Sequence, residues 1–148
     1  MPERAMVFGN GGISMDISKL ETRDQLLISL AMLDIEAARR IVPDHQIFTR
    51  EDPPLAVSWV GGACPTQSEG EMSGEPYYFR ARHGDWYLNI GGADIFKPVF
   101  RMTGNDPSCG FMEDDEVMPV LLTGARIVAY LKEAGAWAEP QTEESAPS

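Results

Sequence analysis

Apolar positions along this chain follow two periods, one helical and one alternating. Between Thr22 and Pro43, Leu26, Leu30, Leu33, Ala37 and Ile41 recur at spacings of three and four, with Arg23, Ser29, Glu36 and Arg40 elsewhere on the wheel. The spacing predicts an amphipathic helix that buries this stripe. Thr22 followed by Gln25 has the form of a capping box, in which the threonine oxygen accepts from a backbone N–H and the glutamine reaches back, so the helix is expected to start at Thr22. Asp34 lies between two apolar runs and is expected to cap a second, shorter helix, because Asp competes with helical backbone away from a terminus. Pro43 ends the segment.

After Asp52-Pro53-Pro54 the period changes. Leu55 to Trp59 is apolar and β-favouring and predicts a strand that stops at Gly61-Gly62. Ser73-Gly74 reads as a hairpin turn between strands at Thr66–Met72 and Tyr77–His83, and His83-Gly84-Asp85 as a second turn before Trp86–Ile90. In that second hairpin Tyr77, Phe79 and Ala81 alternate with Tyr78, Arg80 and Arg82, while Trp86, Leu88 and Ile90 alternate with Tyr87 and Asn89. One face is therefore apolar and the other carries tyrosine and arginine. Loops of residues 83–84 or 84–85 keep Phe79, Ala81, Trp86 and Leu88 together equally well, so the pattern leaves the register open. A further strand is expected around Pro98–Met102, then a loop over Thr103–Phe111. Val117, Val120, Leu121, Gly124, Val128 and Leu131 form a second helical stripe, with Pro119 suited to the first turn, Lys132 to the last and Gly135 to the C-terminal cap.

The order helix, meander, helix predicts an α+β domain over residues 1–137, in which an antiparallel β-meander packs against two amphipathic helices. A short extended piece ending in the turn Gly9-Asn10-Gly11-Gly12 is expected before it. Residues 138–148 hold no large apolar side chain and read as a disordered acidic tail. At 148 residues and 43% hydrophobic content one core is expected, with no membrane-spanning run and no export pattern at Met1-Pro2-Glu3-Arg4, which suggests the cytoplasm.

Charge changes the picture more than any motif. The net charge is −11, and without the tail acids Glu139, Glu143 and Glu144 the body still holds 20 acidic against 12 basic residues, a net −8. A surface of that sign repels phosphate backbones and anionic lipid, which argues against direct nucleic-acid or membrane binding. The acids cluster in Glu113-Asp114-Asp115-Glu116, where they also suit the positive end of a helix. Against this background Arg80, Arg82, Lys97 and Arg101 make the hairpin region locally basic, and Tyr78, Arg80, Arg82 and Tyr87 form an aromatic and arginine face of the kind enriched in interface hot spots.

Dedicated chemistry is weakly signalled. Cys64, Cys109, His45 and His83 are scattered singly rather than in the closely spaced pairs of structural zinc sites, and neither metal nor cofactor is expected. Asp106–Glu116 lacks the alternating acids and central glycine of a calcium loop, and Gly9–Gly12 lacks the Lys-Ser/Thr ending of a phosphate loop. Both thiols are expected to be free; Cys64 has no neighbouring base in sequence to activate it, although the fold could bring His83 close, so the sequence leaves reactivity open. A non-enzymatic protein is expected.

Cys64-Pro65-Thr66-Gln67-Ser68-Glu69-Gly70, Gly74-Glu75-Pro76-Tyr77-Tyr78-Phe79-Arg80-Ala81-Arg82 and Trp86 resemble segments of small uncharacterised proteins carried by bacteriophages and prophages. The resemblance implies a mobile-element origin and, by association, the counter-defence class that includes anti-CRISPR proteins. The sequence therefore points to an acidic inhibitor that occupies the basic surface of a host nucleic-acid-handling complex. Glu113, Asp114, Asp115 and Glu116 would supply charge, and Tyr78, Arg80, Arg82 and Tyr87 a second patch. Two other readings stand beside it. One is a small-ligand or nucleotide-binding module, with weak hydrolase activity, using Arg80, Arg82 and His83 beside Cys64. The other is a self-associating accessory protein that buries Trp59, Trp86 or Trp137.

Overall fold

In the computed structural model the described residues are 7–8, 15–63, 65–82, 84–92, 94, 96–105 and 112–137. Cys64, His83, Cys109, the Gly9–Gly12 turn and the 138–148 tail lie outside them, as does the 106–111 part of the expected loop.

The chain enters through a two-stranded ribbon, β1 (Val7–Phe8) with β2 (Met15–Asp16), and a turn of 3₁₀ helix at Ile17–Lys19. Helix α1 (Thr22–Leu33) follows, then α2 (Ile35–Ile41) and a single turn, α3 (Gln46–Thr49). Strands β3 (Leu55–Gly61), β4 (Thr66–Met72), β5 (Glu75–Arg82), β6 (Asp85–Ile90) and β7 (Phe100–Asn105) form one antiparallel meander in the order β3-β4-β5-β6-β7. Helix α4 (Asp114–Glu133) crosses one face of it. The fold is the α+β arrangement that the patterning predicts, with a five-stranded meander packed against α1 and α4. Among the described residues no helix is long and apolar enough to cross a membrane.

Helix α1 begins at Thr22, but its cap differs from the expected box. Glu21 is the N-cap, and Gln25 Nε2 donates to the Leu20 carbonyl at 2.9 Å. The predicted stripe is also displaced. Leu26, Leu33 and Ile41 are 68%, 77% and 67% exposed, while Leu27, Ile28, Ala31, Ile35 and Ala38 fill the core. Apolar residues surround α1 at 26, 27, 28, 30, 31, 32 and 33, so the pattern fits two faces, and packing against β7 chooses the one offset by a residue. Asp34 caps α2 as expected, its Oδ1 accepting from the Ala37 N–H at 3.2 Å.

In the sheet, Met72 pairs with Glu75 across Ser73 (φ 52°) and Gly74 (φ 83°), two successive left-handed residues that form a tight hairpin. Arg82 pairs with Asp85, which makes residues 83–84 the second connection and decides the register that the sequence leaves open. Phe79, Ala81, Trp86 and Leu88 share the buried face, joined by Phe100 and Met102 of β7. Strand β7 starts two residues later than expected and runs on through Asn105. Its Gly104 lies under the Trp86 ring, where any Cβ would collide, so that glycine belongs to the strand rather than to a loop.

Helix α4 buries Val117, Leu121, Gly124, Val128 and Leu131 as predicted, while Val120 of the same stripe is only half-buried at the edge of the core. It starts earlier than Pro119 suggests, with Glu113 as N-cap and the proline in the second turn. Its end is a Schellman cap: Gly135 takes φ 75°, Ala136 N–H donates to Leu131 O at 2.8 Å and Gly135 N–H to Lys132 O at 3.1 Å.

Candidate functional surface

Alternation along β5, β6 and β7 sends Tyr78, Arg80 and Arg82, then Asp85, Tyr87 and Asn89, then Arg101 and Thr103, to the side of the sheet away from α4. Register brings these residues side by side: Arg80 is opposite Tyr87, Arg82 opposite Asp85, and Asn89 opposite Arg101. The Arg101 guanidinium lies over the Tyr87 ring, 4.2 Å from its centroid. Arg80 Nη1 donates to the Tyr78 hydroxyl at 3.4 Å, and that hydroxyl donates to Gln67 Oε1 at 2.5 Å. Arg80, Arg82 and Arg101 form no ion pair with a described residue. Burial pushes the Tyr87 phenol up from its ordinary pKa, aided by Tyr78 and opposed by Arg80 and Arg101, so it remains a neutral donor at neutral pH.

Tyr78 is a correction to the expected exposed face. It is only 5% exposed, because the Tyr87 ring (centroids 6.1 Å apart) and the Phe96 ring (6.4 Å) close over it. Phe96 replaces it at the surface, 70% exposed, on the connection between β6 and β7. Tyr78 thus supports the patch from below. Arg101 and Phe96 join Arg80, Arg82 and Tyr87 in it. Alternation along β7 is the signal that finds Arg101, whereas a loop residue such as Phe96 has no period to reveal it.

Two hollows flank Tyr87. One, of about 430 Å³, runs between the α1–α2 junction and the end of β6–β7 and is lined by residues including Leu33, Asp34, Asp85, Tyr87, Arg101 and Thr103. The other, of about 300 Å³, is bounded by Arg80, Arg82, Asp85 and Tyr87. Thr103 donates to the Met32 and Leu33 carbonyls at 3.1 Å each, which anchors the end of α1 against β7 and fixes the wall of the larger hollow.

The acidic run sits elsewhere. Glu113, Asp114, Asp115 and Glu116 are all exposed at the start of α4 and make no ion pair with a described residue. Glu116 also works as a cap, its Oε1 accepting from the Glu113 N–H at 2.8 Å. Thr66 donates to the Met112 carbonyl at 3.3 Å, and Thr66, Ala81, Trp86 and Gly104 pair in sequence across β4 to β7. The carboxylates and the Arg82–Asp85 pair therefore meet the same end of the sheet from opposite faces.

Comparison with family models, curated proteins and solved structures returns no match. Among the described residues, no group of His, Cys, Asp and Glu is placed to hold a metal ion. His45 accepts from the Ile47 N–H at Nδ1 (3.2 Å) and meets Asp24 Oδ1 through Nε2 (3.3 Å), while Tyr130 donates to Asp24 Oδ2 at 2.6 Å. Both nitrogens of that histidine are thereby used in joining α1, α3 and α4.

Proposed function

We propose that this chain is a non-enzymatic binding protein that engages its partner at the β4–β7 end of the sheet. One observation carries the reading: two groups of opposite charge that form no ion pair with a described residue lie on the two faces of one sheet, the carboxylates of residues 113–116 on the α4 side near the Thr66 end, and Arg82, Arg80 and Arg101 around Tyr87 on the other. Arginine and tyrosine beside shallow hollows suit anchoring, and a dense carboxylate cluster suits steering toward a basic groove. Together with the resemblance to phage and prophage proteins, this supports an inhibitor of a host nucleic-acid-handling complex, anti-CRISPR-like in mode, that covers the surface where the complex holds nucleic acid.

The test is competition. The chain should displace a labelled oligonucleotide from an isolated host complex, less effectively as salt rises. Asp114→Lys with Asp115→Lys should weaken displacement and flatten its salt dependence, and Arg82→Glu with Tyr87→Ala should weaken it at all salt concentrations. Displacement insensitive both to salt and to the two pairs of substitutions would remove the proposal.

A further inference from the structure

Three arginines gather where α2 and the end of α3 meet α4. Helical spacing puts Thr123 and Arg126 on one side of α4, and Arg39 of α2 reaches that side, its Nη2 donating to Thr123 Oγ1 at 3.4 Å. The Thr123 hydroxyl donates to the Pro119 carbonyl at 2.9 Å, so toward Arg39 it acts only as an acceptor. The Arg39 guanidinium also lies over the Phe48 ring, 4.7 Å from its centroid. Arg126 is fixed through its Nε, which donates to the Arg50 carbonyl at 2.6 Å. Both guanidiniums are thus held by neutral groups, and the Nη groups of Arg126 and Nη1 of Arg39 enter none of these bonds. Burial pushes the Arg126 guanidinium below its ordinary pKa, and the nearby Arg39 charge pushes it the same way. Acids stand only at the rim: Glu36 meets Arg39 Nε at 3.5 Å and Glu133 meets Arg50 Nη1 at 2.8 Å, both carboxylates being more than half exposed.

We propose that Arg39 and Arg126 form an oxyanion site whose ligand is a phosphate group, either free or at the end of a phosphomonoester. Charge and shape select this ligand. A carboxylate carries one charge and two coplanar oxygens, which a single guanidinium fork satisfies. A phosphomonoester carries about −1.5 to −2 at neutral pH and three outward oxygens, so it answers two cations that arrive from different helices. The rim disfavours a longer polyanion. A nucleic-acid strand laid across the pair would pass Glu36 or Glu133, and the acidic body adds repulsion with every further phosphate. Binding bridges α2 to α4 and relieves the repulsion between the two arginines, so the ligand stabilises the folded chain. The site is separate from the partner surface proposed above. Along α4, Arg126 lies roughly 18 Å from Asp114 at the helical rise per residue, and the aromatic and arginine patch is on the side of the sheet away from α4. Either idea can therefore fail without the other.

The experiment titrates the full, nitrogen-15-labelled chain with inorganic phosphate at constant ionic strength, following arginine side-chain resonances. Saturable shifts of the Arg39 and Arg126 Nε–H signals are expected, with a Kd at or below the millimolar range, together with a thermal midpoint that rises along the same curve. Acetate and chloride should bind at least about tenfold more weakly, since neither offers three charged oxygens. Arg39→Gln and Arg126→Gln should each weaken phosphate binding at least about tenfold, whereas Arg40→Gln, at an exposed position beside Arg39, should leave it unchanged. A nucleoside monophosphate that binds more tightly than phosphate identifies the phosphomonoester as the ligand, and one that binds more weakly identifies the free ion. Should a glutamine variant misfold, the resonances of the wild type decide. Absence of a saturable shift at both Nε–H groups up to about 50 mM phosphate overturns the proposal. So does phosphate binding that survives both substitutions, or that acetate matches.

Discussion

Asp24 shows how much of the helical layer rests on single side chains. Its two oxygens take Tyr130 from α4 and His45 from the segment capping α3, so one carboxylate from α1 joins three helices. Tyr130 is driven up from the ordinary phenol value of 10.0 first by burial, then by the hydrogen bond to Asp24 and its charge, with Glu21 adding and Arg23 opposing. A phenol whose pKa is higher folded than unfolded stabilises the fold fully below pH 10 and loses that contribution as pH rises toward the folded value. Tyr77, raised by burial against the bond to Ser68, shifts in the same direction. Stability measured by urea unfolding should therefore fall above about pH 10. Tyr130→Phe should cost about 1.5–3 kcal/mol at neutral pH, since Asp24 loses its donor, and should make the alkaline decline shallower. An alkaline profile unchanged in the variant would show that the tyrosine is not its source. Gly104 makes a second case. A methyl group there has no space beneath Trp86, so Gly104→Ala should destabilise by about 1–3 kcal/mol despite lying on a strand.

At the scale of elements, the helix registers decide which substitutions matter. Leu26→Glu and Ile41→Glu change surface positions and should stay within about 0.5 kcal/mol of the parent in urea unfolding, whereas Leu27→Ala or Ile28→Ala should cost about 2–5 kcal/mol. The reverse ranking would mean that the predicted stripe, rather than the observed one, faces the core. Legibility followed local periodicity. The hairpin alternation from Tyr77 to Ile90, the stripe of α4 and its glycine cap were readable because each offers one apolar side. The start of α1 at Thr22 was readable but its buried face was not, because seven of its twelve residues are apolar and only contact with β7 breaks the tie. The aromatic and arginine patch was half legible: alternation finds Arg80, Arg82 and Tyr87, but the burial of Tyr78 depends on Phe96 arriving from a loop. The acidic run was legible as a helix start, and its capping role separates from its charge. Glu116→Ala should cost about 1 kcal/mol through loss of the cap, while Glu116→Gln, which keeps an acceptor oxygen, should cost much less in the same measurement.

For the whole molecule, the distribution of charge gives opposite predictions for folding and for binding. The chain carries −11, and the described residues include few ion pairs, of which Arg23–Asp24, Arg39–Glu36 and Arg50–Glu133 each have a partner more than half exposed. Such pairs contribute little, so most of the carboxylates repel one another across the surface without compensation. Unfolding moves them apart and relieves that repulsion. Added salt screens it in the folded state, where the charges are closest, and the Debye length shrinks from about 30 Å at 0.01 M to about 10 Å at 0.1 M. Folding stability should thus increase when sodium chloride is raised across that range, seen as a higher urea midpoint with an unchanged slope. Attraction between the 113–116 carboxylates and a basic partner should weaken over the same range. Asp114→Lys with Asp115→Lys raises the net charge by four, from −11 to −7, and should reduce both responses together. A urea midpoint that falls as salt is added would mean that specific ion pairs, rather than general repulsion, dominate the electrostatics of this fold.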